Sequence, residues 1–70
     1  MEFDEEKGLE YFLKIRDSVK ETYVEKYGKS EQEAEEIANR IAMKLLIRNV
    51  GYENASKVFG LAKKRGIKLE

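Results

Sequence analysis

Apolar side chains recur at three- and four-residue spacing along almost the whole chain, and glycines at 28, 51 and 66 each follow such a stretch. The spacing is the period of an α-helix, and a glycine just past it supplies the left-handed residue on which helices commonly end. Three helices are predicted, over about 4–27, 31–49 and 53–65, with short connections around Gly28 to Lys29 and Val50 to Tyr52. The expected fold is all-α, a three-helix bundle forming a single helical domain over residues 1–70.

In the first segment Phe12, Ile15, Val19, Thr22 and Tyr23 form the stripe, widened by Leu9, Leu13, Val24 and Tyr27. Glu10, Lys14, Asp17, Ser18, Glu21 and Glu25 fill the other face, which makes the helix amphipathic with a broad buried side. Asp4, Glu5 and Glu6 suit its positive end. Ser30 followed by Glu33 reads as a capping box, each side chain accepting from a backbone N–H that the first turn leaves free. The second helix carries Ala34, Ile37, Ala38, Ile41 and Leu45 as its main stripe. Met43, Ile47 and Val50 lie on the far side of the wheel with Leu46 between, so this helix is expected to be sandwiched between neighbours.

The third segment carries Ala55, Val58, Phe59 and Ala62 at positions i, i+3, i+4 and i+7, and Gly66 followed by Ile67 reads as a Schellman ending. Gly60 stands inside this helix, where glycine costs about 1 kcal/mol relative to alanine. Either another backbone is expected to pack closely there or the helix is expected to break.

Composition narrows the chemistry. Seventy residues make a core that supplies only about 3–5 kcal/mol. Cysteine and histidine are both absent, which removes disulfides, thiolate nucleophiles, the commonest metal ligand and the usual general base near neutral pH. Serines 18, 30 and 56 have no histidine to activate them, glycine-rich phosphate loops are missing, and adjacent pairs such as Glu5/Glu6 and Glu35/Glu36 point about 100° apart on a helix. No enzyme activity, cofactor, metal or small-molecule substrate is expected. No apolar stretch approaches the roughly 20 residues of a membrane span, and the acidic opening is unlike a signal peptide, so a cytoplasmic protein without a membrane partner is expected. Charged residues are 40% of the chain with Lys and Glu dominant, a balance that leans towards a thermophile.

The zero net charge conceals two opposed halves. Residues 1–36 hold 12 acids and 6 bases, whereas residues 37–70 hold 8 bases and 2 acids. Arg40, Lys44 and Arg48 stack like charges at four-residue intervals, and Lys57, Lys63, Lys64, Arg65 and Lys68 form a second basic group. The plain account is that acids near helix N-termini and bases near C-termini follow the helix macrodipole, with Glu36 and the acids of the first helix neutralising the ridge.

Two binding readings stand beside it. The first is a non-catalytic interaction domain that self-associates, as a homodimer, or docks on a protein partner, with Met43, Leu46, Ile47 and Val50 as the candidate interface. The alternative is nucleic-acid binding through Arg40, Lys44, Arg48, Lys57, Lys63, Lys64, Arg65 and Lys68. The stretch from Asn54 to Arg65 resembles the start of a helix-turn-helix, with the small Ser56 four positions before a turn glycine at Gly60. That resemblance covers about a dozen residues and implies a recognition helix after Gly60, in the stretch that Gly66 interrupts. Tyr11, Tyr23, Tyr27 and Tyr52 are spread out and sit on or beside the stripes, which suits core or rim positions better than a platform for RNA bases.

Overall fold

Asp4 opens the first helix by accepting the Lys7 backbone N–H at 3.2 Å. A computed structural model describes residues 2–69, and Met1 and Glu70, the ends of the expected domain, lie outside the described residues. The chain is all-helical, with two helices among the described residues: α1 over Glu5–Glu25 and α2 over Glu31–Lys64. The first ends two residues earlier than predicted, where the Lys26 N–H closes on the Thr22 carbonyl and Gly28 turns the chain at φ 65. Ser30 then caps α2, its hydroxyl oxygen accepting the Glu33 N–H at 3.2 Å. The box differs from its expected form on the return side: the Glu33 carboxylate accepts from the Ser30 hydroxyl instead of the backbone.

The all-α class is as expected, and among the described residues the count is two helices, the second sharply kinked, where three were expected. Where a connection was predicted between the second and third helices, α2 runs as one 34-residue element in which only Gly51 leaves helical geometry, at φ 85 and ψ 166. Only glycine occupies that region at low cost, because a Cβ there collides with the backbone. One residue therefore makes the corner and no loop is needed. Across it, the Asn54 side-chain amide donates to the Val50 carbonyl at 3.1 Å. A straight helix of this length would span about 51 Å at 1.5 Å per residue. The molecule's longest dimension is 42 Å, as the fold at Gly51 requires.

The corner divides α2 into a first arm, residues 31–50, and a second arm, residues 52–64. The first arm runs antiparallel to α1. Lys20 pairs with Glu35 at 3.5 Å near one end, and the Asn49 amide donates to the Tyr11 hydroxyl at 2.6 Å near the other. The second arm folds back so that Phe59 meets Phe12 edge to face, with ring centroids 5.9 Å apart. Arg65 pairs with Glu6, and the Arg16 guanidinium donates to the Lys68 carbonyl at 3.4 Å. The Schellman ending is present: the Gly66 N–H donates to the Lys63 carbonyl and the Ile67 N–H to that of Ala62.

The core is assembled from all three segments, with Leu9 and Phe12 of α1, Ala42 and Leu46 of the first arm, and Ala55, Val58 and Ala62 of the second. Its centre on the first arm is the small-residue line Ala34, Ala38 and Ala42, all fully buried. Ile37, Ile41 and Leu45, predicted to share that centre, are half-buried beside it. Small side chains take the middle because they let a neighbouring helix approach, which leaves the longer ones at the edges. Met43, Ile47 and Val50, on the other stripe, are half-buried and also pack against the core.

Two mid-helix glycines differ. Gly8, which the stripe pattern does not single out, is buried, and a Cβ on it would lie 2.7 Å from Val58 Cγ2 and 2.7 Å from the Phe3 ring. Gly60 is exposed and a Cβ there would meet nothing within 4 Å. Neither expected explanation for Gly60 holds, since no backbone packs on it and α2 continues through it. The turn implied by the helix-turn-helix resemblance is accordingly absent at Gly60.

A glycine-to-alanine series should therefore split in sign. Gly51→Ala is expected to lower stability by about 1–3 kcal/mol through backbone strain. Gly8→Ala should cost about 1–3 kcal/mol by overpacking against the stiff Val58, outweighing the gain in helix propensity. Gly60→Ala should raise stability by up to about 1 kcal/mol. Urea denaturation midpoints of the three variants test the series, and a loss at Gly60 or a gain at Gly8 contradicts the packing described.

Candidate interaction surface

The basic residues of the second half do not form one continuous face. Arg40, Lys44 and Arg48 are all exposed on the first arm, and on the helical wheel they lie opposite the Ala38, Ala42 and Leu46 line that faces the core. None takes part in an ion pair among the described residues. The second-arm bases divide. Arg65 is held by the Glu6 carboxylate, whose hydrogen bond raises the guanidinium pKa above its ordinary value. Lys57 lines a shallow cleft with Glu2 and Glu5 of the acidic end. Lys64 is exposed on the side away from Ala55, Val58 and Ala62. Lys63 and Lys68, also exposed, border a groove between the two arms.

That groove is open and holds about 620 Å³. Phe59, Ile67 and Leu69 line it, Gly60 leaves one side of it bare, and Lys63, Lys68 and Glu36 contribute its charges. A smaller neighbouring groove shares Glu36 and Leu69 and adds Arg40 and Met43. Among the described residues the charged side chains of this double groove are thus three cations and one carboxylate, above half-buried apolar groups. The macrodipole account explains why the bases are late in α2, and Glu6 neutralises Arg65 as that account requires, but it leaves Arg40, Lys44 and Arg48 without an intramolecular counter-ion among the described residues.

The candidate interface residues divide by burial. Leu46 is fully buried within the chain, so it is not available as a subunit contact. Met43, Ile47 and Val50 lean half-buried on the same core. Part of that stripe stays accessible, and Met43 lines the smaller groove. Among the tyrosines, the Tyr23 and Tyr27 rings meet at a 55° tilt with centroids 5.0 Å apart, while Tyr52 projects from the corner with 77% of its surface exposed.

Asn39 is a feature the apolar pattern passes over. It lies 1% exposed, and neither its amide nitrogen nor its amide oxygen has a partner among the described protein groups. The sequence signal is its register: three residues before Ala42 and seven before Leu46, a polar group stands on the inward face.

Among the described residues no group of Asp and Glu side chains is arranged to hold a metal ion, and no helix is long and apolar enough to cross a membrane. Comparison of the chain with protein families, curated proteins and solved structures finds no match.

Burying an amide without a partner costs roughly 1–3 kcal/mol, so Asn39→Leu should stabilise the domain by about 1 kcal/mol after some loss to imperfect fit. The urea midpoint measures this. A clear decrease would show that the amide is satisfied in solution.

Proposed function

We propose that this chain is a non-catalytic interaction domain that docks on a protein partner. The observation that carries the reading is the exposed, bare helix surface at Gly60 beside half-buried Phe59, Ile67 and Leu69. A glycine inside a helix lowers stability, and none of the described residues packs on this one. An external surface approaching the helix backbone would use it. A protein surface suits apolar side chains that remain partly wet, because association completes their burial. The absence of histidine and cysteine from the sequence supports a role without catalysis.

Self-association has weaker support than docking on a different protein, since the stripe expected at a dimer interface lies against the chain's own core. Photo-crosslinking residues placed singly at Lys44, Tyr52 and Lys64, all exposed, test the reading in cells that make the protein naturally. At least one should yield a discrete adduct that protease removes and nuclease leaves intact. Adducts destroyed by nuclease at all three positions would overturn protein docking. An adduct at twice the 8.2 kDa of one chain would assign the contact to self-association instead.

Nucleic-acid binding is a second reading, favoured by Arg40, Lys44 and Arg48, whose exposed charges have no ion-pair partner among the described residues. Phosphate contacts release counterions, so binding through the ridge must weaken as salt rises. Under this reading duplex DNA binds at low salt and loses most of its affinity by about 200 mM. Lys44→Glu flattens the salt slope, and Lys14→Glu on α1 leaves it unchanged. Fluorescence anisotropy with labelled duplex reads both effects. Absence of binding at low salt by the folded protein removes this reading.

A further inference from the structure

The double groove between the arms of α2 has a definite chemical character. Phe59, Ile67, Leu69 and Met43 are half-buried along it and supply apolar contact. Arg40, Lys63 and Lys68 are exposed at its borders, and Glu36 is the carboxylate among them. At Gly60 the helix backbone is uncovered among the described residues, with no neighbouring atom of theirs within 4 Å of where a side chain would begin. A ligand can therefore approach the helix more closely there than at any residue bearing a side chain.

We propose that this groove binds an acidic segment of a partner protein, one that places large apolar side chains against Phe59, Ile67 and Leu69 and its carboxylates against Arg40, Lys63 and Lys68. The proposal rests on the protein-docking reading and adds the partner's chemistry. Charge complementarity selects an acidic occupant, because among the described residues lining the groove Arg40, Lys63 and Lys68 stand beside the single carboxylate of Glu36. The apolar floor selects a protein segment over a nucleic-acid duplex, whose backbone would offer phosphates to the cations but nothing to bury against Phe59 and Ile67, and would meet Glu36 with like charge. Gly60 is suited to the centre of such a contact because the apolar anchor can lie directly on the helix backbone beside Phe59.

The full chain, immobilised, is used to select from a library of short random peptides, and the selected peptides are then measured by calorimetry. Peptides rich in Asp and Glu with Leu, Ile, Phe or Met should be enriched, and their affinity should fall with salt. Gly60→Gln places a long side chain in the groove at an exposed helical position where nothing is displaced. It should weaken binding about tenfold or more, and Lys63→Glu should do likewise. Thermal unfolding of both variants at or near the wild-type midpoint shows that the loss is not one of folding. Enrichment of basic or uncharged peptides, or no enrichment at all, overturns the proposal. Acidic peptides that bind both variants as well as wild type overturn the groove assignment while leaving protein docking in place. Duplex DNA that displaces the selected peptides and is itself weakened by Gly60→Gln overturns both.

Discussion

The corner at Gly51 is the constraint on which the remaining structure depends. Without it α2 would be a rod of about 51 Å, too long to close against α1, and Val58 and Ala62 would be carried away from Leu9 and Phe12. With it, one residue at φ 85 and ψ 166 reverses the chain abruptly enough for both arms of α2 to share a core with α1. A longer loop could join the same helices, but it would add residues to be ordered on folding in a chain whose core is already small. The fold-back is then held locally by Asn54 on Val50, and at long range by Phe12 on Phe59 and Glu6 on Arg65.

Close approach is the second element of this arrangement. Val58 sits where α1 has no side chain, at Gly8, and the alanine line at 34, 38 and 42 forms the fully buried centre of the first arm. Small residues shorten the distance between helices, and shorter distances let a few large side chains, chiefly Phe12, Leu46 and Val58, fill the interior. Asn39 runs against this economy by carrying an amide into the same interior.

Folding also divides the charge in a way that the linear order does not. The acidic end of α1 is brought beside the second arm, where Glu6 takes Arg65 and Glu2 and Glu5 adjoin Lys57. The first-arm ridge faces away from α1 and keeps its charge exposed, and Lys63 and Lys68 border the groove with Arg40 nearby. A chain of zero net charge thus presents a surface with a basic side. Solvent and salt screen such a field beyond about 10 Å, so its use lies in contacts made at close range.

Much of the architecture was legible in the residues themselves. Helical periodicity, the cap at Ser30, the ending at Gly66 and the stretches that become α1 and both arms of α2 follow from short-range rules, which operate within a few residues along the chain. Exposure of Arg40, Lys44 and Arg48 also followed from their register. What periodicity could not supply was the distance between helices. The glycines at 8 and 60 both stand inside helical stretches, yet one accommodates Val58 and the other faces open space among the described residues. Which apolar stripe meets which neighbour was equally undetermined, and in the fold Met43, Ile47 and Val50 lean half-buried on the core. Sequence alone determined the elements and their inward faces because those depend on local backbone geometry and side-chain type. Tertiary structure decided the corner's single-residue form, the pairing of Arg65 with Glu6 and the groove beside Gly60, because each depends on residues far apart in the chain meeting in space.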